Sequence, residues 1–118
     1  MGVNSSKQDF IFIKTSTMLK RVCLDDIRLV HCEDTVSDIS FKSGDHLACS
    51  KPLSYFEEQL PHNTYMRVNR QDIVNLTMVS EISNTSSRNK FLTLDDDTKV
   101  LVSYRRWPDV RVALLALM

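Results

Sequence analysis

Two glycines and three prolines in 118 residues leave no room for a low-complexity segment, so disorder is expected only at the ends. No apolar run approaches the roughly 20 residues that cross a bilayer. The polar start also lacks the basic-then-apolar order of a signal peptide, so a cytoplasmic chain with no membrane role is expected. Cysteine is scarce. Cys23, Cys32 and Cys49 are an odd number at wide spacing, which does not describe a disulfide framework and suits a reducing compartment. Net charge is missing altogether: 15 basic and 15 acidic side chains cancel. Bulk electrostatics therefore lend no support to nucleic-acid binding, which normally shows as a basic domain.

What is present is the balance of a globular protein, 42% hydrophobic and 25% charged, in a length that buries one modest core. One domain is expected over residues 9–118. Residues 1–8 are polar and unpatterned, which reads as a disordered linker remnant or a leftover of expression. The charges are unevenly spread. Between Asp25 and Asp45 six carboxylates face only Arg28 and Lys42, a net of −4, whereas between Arg67 and Arg111 eight cations face six carboxylates, a net of +2. A bipolar surface of this kind can hold a polyanion on one side and a basic partner on the other.

Alternation and turn chemistry predict about ten short strands and two short helices. Phe10 to Ile13 and Leu19 to Leu24 are a hairpin joined through Lys14 to Met18, and Asp25-Asp26-Ile27 is a helical corner. Arg28 to Cys32 and Ser37 to Lys42 flank Glu33 to Val36. Gly44 turns the chain into a strand from His46 to Ser50. Leu53, Phe56 and Leu60 recur at helical spacing, which predicts a helix over residues 51–60 with Pro52 in its first turn. Tyr65 to Val68, Ile73 to Leu76, Met78 to Ile82, Lys90 to Leu94 and Lys99 to Val102 read as strands, with turns at Asn84 to Asn89 and Asp95 to Thr98. A second helix enters through Pro108 and runs from Trp107 to Leu117. Connections this short exclude parallel crossovers, so the sheets are expected to be antiparallel and packed on one another.

Three groups of residues have side chains suited to chemistry. Asn69-Arg70-Gln71-Asp72 forms a polar corner between two strands. Asn, Arg and Gln carry the forked hydrogen-bonding groups that match base edges and phosphates, although a solvated turn with its Arg paired to a carboxylate has the same composition. Arg105 and Arg106 close another strand beside Tyr104 and Trp107, and they point in different directions. One suits a ligand, while the other suits cover for an aromatic ring or a solvated helix start. His31 and Cys32 with His46 and Cys49 have the donor types of a zinc site. Neighbours on a strand point to opposite faces, so they do not converge on one ion, and no metal or cofactor is expected. Nothing beside the cysteines positions a base, so no catalytic residue is assigned.

Read in order, Phe10 to Lys14, Leu24-Asp-Asp-Ile27, the Pro52 to Pro61 helix, Arg67-Val-Asn-Arg70, Ile73-Val-Asn-Leu76 and Leu94 to Ser103 resemble the LytTR DNA-binding domain over about residues 9–114. The resemblance implies packed antiparallel sheets without a recognition helix, whose loops enter successive major grooves of double-stranded DNA. It also implies the output role of a two-component response regulator in bacterial transcription, with a receiver domain or sensor partner outside this chain and two copies on direct-repeat sites. Carried over, the contacting loops are residues 33–37, the corner at Asn69 and Arg70, and Arg105 with Arg106 beside it. At the first loop, Glu33, Asp34 and Asp38 would meet phosphates unfavourably, which leaves Thr35 and Ser37. An interaction module of the same fold, binding protein through its acidic Asp25 to Asp45 region with reduced DNA binding, is the alternative, and near-neutral charge is its support.

Overall fold

The computed structural model describes residues 9–84 and 89–117. The linker expected over residues 1–8, and most of the turn expected between Asn84 and Asn89, lie outside the described residues. Among the described residues, ten strands form three antiparallel sheets. Strands β1 (Phe10–Lys14) and β2 (Leu19–Cys23) make a hairpin. Five strands, β3 (Ile27–Glu33), β4 (Val36–Phe41), β5 (His46–Cys49), β6 (Tyr65–Arg67) and β7 (Asp72–Asn75), are ordered β5-β4-β3-β7-β6. Three more, β8 (Val79–Asn84), β9 (Lys90–Leu94) and β10 (Lys99–Val102), are ordered β10-β9-β8. Helices α1 (Leu53–Gln59) and α2 (Trp107–Ala116) complete the fold.

The five-stranded sheet carries a core on each face, because neighbouring residues in a strand point to opposite sides. Val30, Ile39, Cys49 and Ile73 pack against Ile11, Ile13 and Val22 of the hairpin and against Leu53, Phe56 and Leu60 of α1. On the other face Leu29 and Val74 meet Leu92, Leu94, Val100 and Val102 of the three-stranded sheet and Val110 of α2. The second core stops short of β4 and β5. There the same face presents Asp38, half-buried Ser40 and exposed His46. Strands β3 and β7 are thus apolar in consecutive positions, while their neighbours alternate.

Local chemistry shifts several boundaries. Pro52 takes an extended backbone (ψ 165°) and stands before α1 rather than in its first turn. The helical corner occupies Leu24–Asp26, one residue earlier than its composition indicates, and a further 3-10 turn at Leu76–Met78 separates β7 from β8. Buried polar groups fasten both turns. The Tyr65 hydroxyl serves the carbonyls of Leu24 and Ile27 on either side of the first. Asn75 donates to the Ile27 carbonyl at 3.1 Å and to the Tyr65 hydroxyl at 3.1 Å, while its side-chain oxygen accepts from the Thr77 amide at 3.0 Å at the second. A buried network satisfied on every member fixes one arrangement of the chain. Burial pushes the Tyr65 phenol well above its ordinary range, so it remains a donor throughout.

Arg28 is the residue of β3 that has no register partner on β4, because the pairing shifts between Ile27 and Leu29. A bulge of this kind re-aims a side chain. Here the buried guanidinium donates from Nε to Asp95 at 2.8 Å, from Nη1 to the Phe41 carbonyl at 2.5 Å and from Nη2 to the Lys42 carbonyl at 3.3 Å, with Asp96 at 3.6 Å. It pins the β9–β10 turn of one sheet to the end of β4 in the other. Desolvation opposes ionisation of Asp96, but hydrogen bonds from Thr98 and the charge of Arg28 outweigh it and hold the carboxyl below its usual range. Replacing Arg28 with Met is expected to remove about 1.5–3 kcal/mol of stability, read by urea unfolding at pH 7. The Asp96 part of the wild-type contact is present above the ordinary carboxylate value and lost as pH falls through the lowered one.

Candidate nucleic-acid interface

Three connections meet at one end of the five-stranded sheet. The first joins β3 to β4 through two residues, Asp34 and Thr35, since Glu33 already pairs with Val36. Asp34 takes the left-handed conformation (φ 55°), which Asp tolerates better than most side chains. The second is the corner from Asn69 to Asp72 between β6 and β7. The third, Ser103 to Arg106, leads from β10 into α2. Backbone bonds tie them together: the Cys32 amide donates to the Gln71 carbonyl at 2.8 Å, and the Ser103 amide to the Val68 carbonyl at 2.9 Å. A cleft of about 620 Å³, lined by Asp34, Ser54, Arg67, Arg70 and Gln71 among others, lies between the first two.

Asn69 organises the corner. Its Oδ1 accepts from the Gln71 amide at 2.7 Å, which is an Asx turn, and its Nδ2 donates to Asp72 at 2.9 Å and to the Leu101 carbonyl at 2.6 Å. The last of these bonds spans from one sheet to the other. Arg67 braces the same corner from below, donating to the carbonyls of Asn69 at 3.2 Å and Arg70 at 2.7 Å while pairing with Glu57 at 3.1 Å. The Arg70 side chain is exposed, and among the described residues it has no carboxylate partner. Arg105 is likewise exposed and unpaired among the described residues.

The other sequence-predicted positions divide. Thr35 is exposed at the tip of the first connection. Ser37 is fully buried, and its hydroxyl donates to the Lys51 carbonyl, so it has no path to a ligand. The physical reason is register: Ser37 lies two residues from Ile39 and so shares its buried face. Arg106 is half-buried and turns inward, with Nη1 3.5 Å from the Arg67 carbonyl. The ring of Trp107 is covered not by an arginine but by Lys90, whose ammonium sits 5.7 Å from its centroid.

Sequence reasoning missed the role of His31. It lies on the same face as Glu33 and directly across β7 from Asp72. Its Nδ1 is 2.7 Å from Asp72 and its Nε2 3.1 Å from Glu33. Both ring nitrogens therefore face carboxylate oxygens, which only accept, and only the doubly protonated imidazolium donates to both. Partial burial pulls the His31 pKa down, but the hydrogen bonds and charges of Asp72 and Glu33 together win, and the net direction is up. His46 makes a similar contact with Asp38 at 2.8 Å, while Cys49 is buried on the opposite face. The donors weighed for zinc thus serve carboxylates or the core.

The family model of the LytTr DNA-binding domain matches residues 18–115. The chain belongs to the LytTR DNA-binding domain family. Its fold agrees. A chain described as the LytTr DNA-binding domain of a methyl-accepting/DNA response regulator from Bacillus cereus superposes with a TM-score of 0.79 at 20% identity, covering 91% of this LytTR domain and 97% of that chain. No curated relative matches. Among the described residues of this LytTR domain, no helix is long and apolar enough to cross a membrane.

The division of labour at the corner has a measurable signature. Asn69→Ala removes three hydrogen bonds and is expected to cost about 1–3 kcal/mol of folding stability, whereas Arg70→Ala, at an exposed and unpaired side chain, should stay within about 0.5 kcal/mol of wild type. Chemical denaturation of the two variants side by side checks both.

Proposed function

We propose that this LytTR domain is a sequence-specific reader of double-stranded DNA that offers its three clustered connections to successive major grooves. The observation that carries the reading is the joint presentation of Arg70 and Arg105. Both guanidiniums are exposed and free of carboxylates among the described residues, on turns linked by the Asn69–Leu101 and Ser103–Val68 hydrogen bonds. A free guanidinium binds guanine edges or phosphates bidentately, and one already paired does so only after losing its partner. Arg70 and Arg105 supply base reading and most of the electrostatic attraction. Thr35 meets the backbone or a base at the first connection, while Asn69 and Arg106 hold the turns in place. The bacterial setting that fits is a cytoplasmic two-component response regulator, in which this domain is the output module of a receiver or sensor partner outside the chain and two copies occupy a direct repeat.

Selection of bound sequences from a random duplex pool, followed by anisotropy titration of the selected duplex at several salt concentrations, tests the reading. Affinity is expected to fall as salt rises, through counterion release. Arg70→Ala and Arg105→Ala are each expected to lose about 1–3 kcal/mol of discrimination at one base step. A pool that yields no enriched sequence, or binding indifferent to salt, removes the proposal.

A further inference from the structure

Beyond the second core, the face of the five-stranded sheet that bears Leu29 and Val74 carries a row of titratable groups beside the polar corner. Asp72 on β7, His31 on β3 and Asp38 on β4 are cross-strand neighbours in register. Glu33 lies two residues along β3 from His31, and His46 on β5 pairs with Asp38 at 2.8 Å. His31 sits in the middle, and one of its partners is shared with the corner. Asp72 accepts from His31 through Oδ1 at 2.7 Å and from the Asn69 side chain through Oδ2 at 2.9 Å. Asn69 in turn holds the Leu101 carbonyl of the other sheet. The relay runs from Glu33 through His31, Asp72 and Asn69 to β10, and the exposed Arg70 follows Asn69 in the chain.

We propose that His31 is a positioning residue for DNA binding: its imidazolium holds the Asp72–Asn69 corner in shape and neutralises the acidic edge of the interface, so that affinity for duplex DNA falls as the ring loses its proton. This inference rests on the DNA-reading function proposed above. Two effects act in the same direction. With the ring charged, Glu33, His31 and Asp72 together carry one net negative charge. With the ring neutral they carry two, and an approaching phosphate meets the difference. The neutral ring also keeps only one donor, so either Asp72 or Glu33 loses its hydrogen bond, and Asp72 is the group that orients Asn69. Phosphates near the ring favour its charged form, so binding and proton uptake reinforce each other. Asp38 is already engaged by His46, and the exposed Arg70 contributes a positive charge of its own.

Anisotropy titrations with the selected duplex at fixed ionic strength between pH 6 and pH 8 decide the matter. Wild-type affinity is expected to fall roughly tenfold across that interval, the size of one moderate charged contact. His31→Gln, neutral at every pH, should bind at the weak high-pH level throughout. His31→Lys, charged at every pH, should show no such fall, and His46→Gln should keep the wild-type dependence. A flat wild-type profile, or a slope that survives in His31→Gln, overturns the proposal. A second arm needs neither variant nor DNA: in wild-type NMR spectra the side-chain amide of Asn69 and the backbone amide of Gln71 should shift with the titration of the His31 ring. Corner signals that ignore the ring overturn the positioning role. Corner signals that follow it, in a protein that binds no duplex at any pH, support that role and reject the DNA reading instead.

Discussion

The bond from Asn69 to the carbonyl of Leu101 is the joint that fixes the polar corner against the three-stranded sheet. The two larger sheets share a core but no strand, so nothing in their ladders fixes the end of one against the end of the other. Hydrophobic burial between them is non-directional and tolerates a small slide. Directional bonds do not. At one end the Arg28 guanidinium clamps the Asp95 turn to β4, and at the other Asn69 and the Ser103 amide clamp the corner to β10. The arginine-bearing turns belong to different sheets, and these clamps hold the two turns beside each other.

A formal charge of zero is compatible with this surface because the charges are apportioned locally. Arg28 answers Asp95 and Asp96, Arg67 answers Glu57, and Arg21 lies 4.0 Å over the ring of Phe10. Such cations contribute to the total without attracting a partner. Arg70 and Arg105 are exposed instead, and His31 lies between two carboxylates, Asp72 and Glu33. A sum over the chain loses this distinction, since the field at an interface is set by unpaired charges within about a Debye length.

Much of the fold was legible because its signals are local. Alternation found the strands, the 3- and 4-residue spacing of Leu53, Phe56 and Leu60 found α1, and Gly44, with φ 93°, found a turn. Boundaries at Leu24 and Leu76 were harder, since the first 3-10 turn is held by Tyr65 from a distant strand and the second by Asn75, whose side chain is itself anchored on the distant Ile27 carbonyl. The site was half legible. Residue type singled out Arg70 and Arg105 without telling an unpaired guanidinium from one held by a carboxylate, and the structure leaves both exposed. Ser37 was misplaced although its alternation with Ile39 carried the correction. His31 was weighed only as a metal donor, because its partner Asp72 lies 41 residues away and only the pairing of β3 with β7 brings the two together.

At the corner, the side chains that set the shape are not the one that is left exposed. Arg67, Asn69 and Asp72 draw the loop into its form before anything arrives, so little ordering remains to be done on association. Arg70 is left hanging from a finished frame. A substitution at that one position therefore changes what the corner offers to solvent without redrawing the loop that presents it.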